Sequence, residues 1–254
     1  MTASLRTLNL ALTSDFPTTT NHAVVARIQS SGRSPRVAWV APSSSAGRAR
    51  FPTAQAEFRA FGVDHLDYCE VDDEPNVTQL DLLDRYDVVY LAGGDPILFR
   101  ESIRRTGLGE RLREFMAAGS LVVGASGGAM QLTMNVSLFR LLSVPVDEVV
   151  ANRKEFDGLC AVGYEILPHL NRHDASFLEK VQRYSELVSH DIVALGDGAA
   201  LVHSDGESTC FGEGVRFTRG VRSTIEARPN KPLQPTRAAE PNGQREPAGS
   251  GPRG

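Results

Sequence analysis

Within residues 121–134, LVVGASGGAMQLTM, the run Gly124-Ala125-Ser126-Gly127-Gly128 has the spacing G-x-S-x-G. It follows the short apolar run 121–123 and precedes a good helix former, so Ser126 belongs on a sharp turn between a strand and a helix. Flanking glycines remove the Cβ atoms that would collide in such a turn, and the hydroxyl stands free at the strand's carboxyl end. That is a place for a nucleophile. A serine hydroxyl reacts poorly at neutral pH. The chemistry therefore needs a base within hydrogen-bond reach, an acid that orients the base, and N–H donors for an oxyanion.

The chain has six histidines to offer as base: His22, His65, His169, His173, His190 and His203. His22 and His190 fall near expected helix ends and His65 near a strand start, where structural or solvated roles are the ordinary ones. His173 lies in a polar loop and His203 on a late strand. His169 differs from these, because it follows a strand directly, behind Pro168, which stiffens the exit. If that strand runs parallel to 121–123, its imidazole emerges at the edge where Ser126 does.

The elements that must position these groups alternate. Strands are expected at 8–13, 36–41, 65–70, 87–92 and 121–123, and helices at 21–30, from 45 to about 61 with Gly62 as terminator, 75–85, 97–105, 108–118 and 127–134. Such alternation calls for an α/β fold, a mostly parallel, doubly wound sheet covered on both faces, with ligands beyond the carboxyl ends of the strands. Gly93-Gly94 and Ser126 both fall at such ends. A further strand is expected over 159–167, an amphipathic helix over 174–188, and then short strands at 192–195, 199–203, 208–211 and 215–217 forming small antiparallel C-terminal strands. Residues 1–227 read as a single α/β domain, and the Pro/Gly-rich stretch 228–254 as a disordered tail.

Composition excludes several classes. At 41% hydrophobic and 23% charged the chain is that of an ordinary globular protein, and a net charge of −4 gives no reason to expect nucleic acid or an anionic membrane as partner. Three scattered cysteines without a C-x-x-C read as reduced thiols, which suits the cytoplasm, and no spacing of ligands suggests a metal or cofactor. No apolar run approaches membrane-spanning length. Nothing in composition speaks to oligomeric state.

Four segments in order, A-G-G-D at 92–95, G-A-S-G-G-A at 124–129, G-L-C-A-V-G-Y-E-I-L-P-H at 158–169 and A-L-G-D-G-A-A-L-V at 194–202, resemble the aspartyl dipeptidase (dipeptidase E) and cyanophycinase family of serine peptidases. The resemblance covers roughly residues 5–220. It implies a glutamine-amidotransferase-like fold, Ser126 as nucleophile and His169 as general base. Reading back from Pro168-His169 to the family's acid leads to Asp147, with Glu148 and Asp157 as the other candidates. The resemblance also implies an oxyanion hole from the N–H groups of Gly94 and Gly127, although Gly127 stands where the family usually has alanine. Arg172, Lys180 and Arg183 follow His169 on its helix. Lys180 falls where the dipeptidase has an arginine, and Lys180 and Arg183 are the expected contacts to an acidic substrate residue. The implied activity is hydrolysis of short peptides through an acyl-Ser126 intermediate, without a metal. A hydrolase of another amide or ester, and a non-catalytic ligand-binding relative with a misaligned triad, are the alternatives; the separation of Ser126 and His169 discriminates the last.

Overall fold

The computed structural model describes residues 8–15, 22–69, 71 and 83–229. Strands β1 (Leu10–Thr13), β2 (Arg36–Val40), β3 (His65–Cys69), β4 (Val88–Leu91) and β5 (Leu121–Ala125) are all parallel, in the order β3-β2-β4-β5-β1. β1, β4 and β5 are buried at every position, which is why their sequences are nearly continuous apolar runs rather than alternating ones. Alternate residues still go to opposite faces. Ala11, Val37, Trp39, Tyr90 and Val123 pack with Val24 and Ile28 of α1 (His22–Gln29) and Phe58 of α2 (Ser44–Ala60). Leu10, Leu12, Val40, Val89 and Val122 join the larger core on the other face, with α3 (Pro96–Thr106) and α4 (Leu108–Ala117). The carboxylate of Asp95 starts α3 by accepting from the N–H groups of Ile97 at 2.8 Å and Leu98 at 3.1 Å, with Pro96 at the first helical position. The strand–helix alternation is thus as the sequence implied. The helix expected at 75–85 lies outside the described residues except for a 3₁₀ turn at Leu83–Arg85.

The second half departs from expectation in two ways. The stretch after α5 (Gly127–Gln131) is folded into short helical turns, including α6 (Val146–Ala151), and only Glu165–Leu167 (β6) of the expected strand 159–167 is strand. The N–H groups of Leu159 and Ala161 instead donate to the carbonyls of Gln131 at 2.7 Å and Leu132 at 2.9 Å, capping the end of α5. Secondly, the late strands are divided between two sheets. β8 (Ala200–Ser204) and β9 (Glu207–Phe211) extend the main sheet antiparallel from β1, and β12 (Ala227–Arg228) closes it to eight strands. β7 (Ile192–Leu195), β10 (Gly214–Thr218) and β11 (Val221–Thr224) build a second sheet with β6, in the order β11-β10-β7-β6. Arg228, expected to open the tail, is the last strand residue; 230–254 lie outside the described residues.

Within the second sheet β6 and β7 are parallel, with Leu167 opposite Ala194. Behind β6 packs α7 (Ala175–Leu187), capped by Asp174, whose carboxylate accepts from Phe177 N–H at 2.8 Å. Glu165 on β6 is fully buried, and its carboxylate accepts from Arg153 Nη2 at 2.7 Å, Tyr184 OH at 3.0 Å and His190 Nε2 at 2.7 Å. A buried carboxylate is tolerable only when its lone pairs are taken up in this way. Among the described residues no helix is long and apolar enough to cross a membrane.

Candidate active site

Ser126 joins β5 to α5 with φ 49° and ψ −116°, a backbone conformation that L residues rarely adopt. The neighbours explain how it is held. Its N–H donates to Thr13 O at 2.9 Å on the adjacent strand. A Cβ on Gly128 would lie 2.1 Å from Leu91 O, and one on Gly127 would lie 2.2 Å from Gly94 O. Only glycine lets the start of α5 come so close to the end of β4. The departure from alanine at 127 is the counterpart of this approach: the Gly93-Gly94 turn lies directly against the elbow. As the first residue of a helix, Gly127 has an N–H with no intrahelical acceptor.

His169 lies two residues beyond β6, in the left-handed region at φ 61° and ψ 37°. Its Nε2 is 2.9 Å from Ser126 Oγ. The far nitrogen, Nδ1, is 2.7 Å from Oδ1 of Asp197, two residues beyond β7. A carboxylate only accepts, so Nδ1 carries the proton and Nε2 presents its lone pair to the serine hydroxyl. The pairing follows from topology, because β6 and β7 are parallel neighbours and their carboxyl ends deliver these two residues side by side.

Asp197 is closely held. Its Oδ2 accepts from Arg172 Nε at 2.5 Å and Asn171 Nδ2 at 3.3 Å, and its own N–H donates to Asn171 Oδ1 at 2.7 Å. Ser14, fully buried at the end of β1, accepts from His169 N–H at 2.7 Å and donates to Asp197 Oδ1 at 3.4 Å. Burial pushes the Asp197 carboxyl up, but the hydrogen bonds from His169, Arg172 and Asn171 outweigh it and hold the group below its ordinary range.

The expected acid is therefore corrected. Asp147 is exposed in the first turn of α6, Glu148 beside it pairs with Arg140 at 3.6 Å, and Asp157 accepts from Asn135 Nδ2 at 3.0 Å. The stretch holding all three is wound into short helical turns against α7, so counting back from His169 leads away from its ring. The expected substrate cations are corrected too. Lys180 and Arg183 are exposed on α7, Arg183 paired with Glu186 at 2.6 Å, and neither lines a cavity at the serine.

Two depressions meet at Ser126. One, of about 560 Å³, is bounded by Gly93, Gly94, Ser126 and His169 and carries Arg50 and Glu57 of α2, Arg172 and Asp15. The other, of about 110 Å³, shares Gly94, Ser126 and His169 but is otherwise almost wholly apolar. Among the described residues no group of three or more His, Cys, Asp or Glu side chains could hold a metal ion.

The sequence model of peptidase family S51 matches residues 14–210, a span that contains Ser126, His169 and Asp197. The chain belongs to that family. An uncharacterized peptidase of Listeria monocytogenes is 30% identical over 89 residues, 35% of this chain and 42% of that protein. One of Pasteurella multocida is 25% identical over 109 residues, 43% of this chain and 51% of that protein. These matches thus span about half or less of the curated relatives' length. The solved structure of a peptidase from an acI-B1 Actinobacterium superposes with a TM-score of 0.65 at 18% identity, covering 87% of this chain and 96% of that one. That of an L. monocytogenes protein provisionally assigned as a peptidase E gives 0.64 at 20% identity, over 80% and 98% of the two chains. Both share the fold. In this S51 chain sequence reasoning passed over Ser14 and Asp197, which stand at strand exits, and Asn171, in the 3₁₀ turn Leu170–Arg172 that follows His169. For Asp197 a signal existed: the apolar run of β7 breaks into Gly196-Asp197-Gly198, the same strand-then-polar pattern that singled out His169.

Proposed function

We propose that this S51 peptidase hydrolyses short peptides with a free, acidic N-terminal residue through an acyl-Ser126 intermediate. Ser126 Oγ attacks the scissile carbonyl carbon while its proton passes to His169 Nε2. The N–H groups of Gly94 and Gly127 take up the developing oxyanion, and Asp197 stabilises the imidazolium across Nδ1. The imidazolium then gives its proton to the leaving amine as the C–N bond breaks. A water molecule, activated by the same ring, finally releases the acid and restores the serine.

The observation that carries this reading is the continuous line from Ser126 Oγ through His169 to Asp197, with contacts of 2.9 Å and 2.7 Å. A non-catalytic relative with a misaligned triad would have no such line. The substrate class is supported by the larger cavity. An N-terminal aspartate or glutamate brings one carboxylate and one ammonium group, and the wall offers Arg50 and Arg172 for the first and Asp15 and Glu57 for the second. Labelling by a fluorophosphonate, followed by turnover of Asp-X and Ala-X dipeptides, tests the proposal. We expect labelling of the wild type that Ser126→Ala abolishes, and faster cleavage of Asp-X. Labelling that survives in Ser126→Ala would refute the acyl-serine step, and indifference to the first residue would refute the substrate class.

A further inference from the structure

We infer that the smaller depression is the leaving-group subsite of this peptidase and that it takes a medium-sized aliphatic side chain on the residue after the scissile bond. This rests on the reading of Ser126 as an acyl-forming nucleophile and adds the second half of the substrate. The two depressions share Ser126, His169 and Gly94, so a peptide lying across the nucleophile must place one side chain in each. The charged N-terminal half is matched by the cavity with Arg50, Arg172, Asp15 and Glu57. That leaves the other side to the residue released as amine.

That side is built to receive a hydrocarbon. Its floor is Met130, Leu138, Leu167 and Phe177, all under a tenth exposed, and its rim is Phe139 and Leu142, at 37% and 54% exposure. The rim residues belong to a 3₁₀ turn, Ser137–Leu142, which leaves two large apolar side chains at the surface beside the nucleophile. An isolated exposed apolar residue needs no explanation, but two of them continuous with a buried apolar floor make a patch. The titratable groups facing the pocket do not spoil it. His173 lies stacked on Phe177 at 4.3 Å between ring centres and contacts Pro168 O through Nε2 at 3.1 Å. Burial pushes its imidazole down, more than the Pro168 carbonyl raises it, and it presents a neutral face at neutral pH. His169, the other, is the base itself.

The volume narrows the class. A dry apolar cavity of about 150 Å³ holds a benzene ring. At about 110 Å³ this pocket has room for the side chain of leucine, valine or methionine and is tight for tryptophan. Burying such a side chain in the complex corresponds to a gain of roughly 10- to 100-fold in kcat/KM over glycine.

The test is the kcat/KM of wild-type protein on Asp-Gly, Asp-Ala, Asp-Val, Asp-Leu, Asp-Trp, Asp-Lys and Leu-Asp. Asp-Leu is expected to exceed Asp-Gly and Asp-Lys by at least roughly tenfold and to exceed Asp-Trp, and Leu-Asp to be poor. A flat profile over the second residue, a preference for lysine or tryptophan, or faster cleavage of Leu-Asp each overturns the assignment. In Leu142→Lys the ratio of Asp-Leu to Asp-Gly is expected to fall severalfold. The ratio is internal, so partial loss of folded protein lowers both rates alike, and an unchanged ratio counts against the pocket. Fluorophosphonate labelling separates the two levels. Labelled protein with a flat profile defeats only the subsite, whereas unlabelled protein that cleaves none of the peptides defeats the acyl-serine reading with it.

Discussion

The two sheets of this molecule supply the two halves of the line from Ser126 through His169 to Asp197 by different means. In the eight-stranded sheet, what forces Ser126 into its turn lies close at hand in sequence or on the neighbouring strand: the glycines at 127 and 128, and the carbonyls of Leu91 and Gly94 that would collide with any Cβ there. In the four-stranded sheet nothing local fixes His169. Its ring is aimed by Asp197, 28 residues away, and its backbone N–H is held by Ser14, 155 residues away, through contacts that exist only once β6 and β7 have paired and β1 has docked beside them. Strain written locally and order assembled from a distance fail differently when disturbed.

The largest effect should come from the elbow. Ser126→Ala removes the attacking atom and should lower kcat by roughly a million-fold. Ser126→Gly should do the same while raising stability. A residue at φ 49° and ψ −116° stores about 1–3 kcal/mol that glycine does not incur, worth a few degrees in Tm, about 2–4 °C per kcal/mol at this size. Thermal unfolding of the two variants checks it. A glycine variant less stable than wild type would show that the elbow is not strained.

On the second sheet, Asp197→Asn should keep the fold and lower kcat by about 10⁴, because an amide leaves the imidazole without its proton acceptor at Nδ1 and in the wrong tautomer. Asp147→Asn is the matched control and should change kcat less than about twofold, as for an exposed side chain away from the reacting groups. Equal losses in both, or none in Asp197→Asn, would remove Asp197 from the line.

The same contrast explains what could be read from the sequence. β1 to β5, Ser126 and the Gly93-Gly94 turn were legible because strand, turn and helix each leave a local pattern of apolar residues and glycines. His169 was legible as a histidine at a strand exit. Its carboxylate partner was not, since the identity of Asp197 depends on β7 lying beside β6, and no periodicity in either strand names its neighbour. The reading back from His169 that led to Asp147 fails because α6 and its flanking turns wind up the intervening residues away from the ring. Lys180 and Arg183 were misplaced for a related reason. Helix spacing assigns a polar face, but whether that face meets solvent or substrate is decided by which side of α7 packs on β6 and β10. Arg50, which does line the cavity, sits on a helix far earlier in the chain.

Between these extremes lies the contact of the two strand ends that carry Gly94 and Gly127. Gly127→Ala puts a methyl 2.2 Å from Gly94 O, and the 93–94 turn must retreat. If both N–H groups bind the oxyanion, kcat should fall roughly 10²- to 10³-fold with KM little altered, since the interaction is made only in the transition state. A variant that loses KM alone would place the damage in substrate binding instead.

The smallest effect tests how far Asp197 depends on its other partner. Arg172 is 58% exposed, so its 2.5 Å contact with Asp197 is worth under about 1 kcal/mol, and Arg172→Ala should lower Tm at neutral pH by at most a few degrees. Its pH dependence is the sharper readout. The folded-state pKa of Asp197 lies below the ordinary carboxylate value of about 3.9, so the stability it contributes is present above that value and lost as pH falls through the folded one. Without the guanidinium the folded pKa rises, and the loss begins at higher pH. The stability gap between wild type and Arg172→Ala should therefore be constant from neutral pH to about 5 and close below about 4. A gap that persists once the carboxylate is protonated would mean that Arg172 stabilises the loop by packing rather than through Asp197. Asp197 would then owe its hold to Asn171, Ser14 and His169 rather than to the guanidinium.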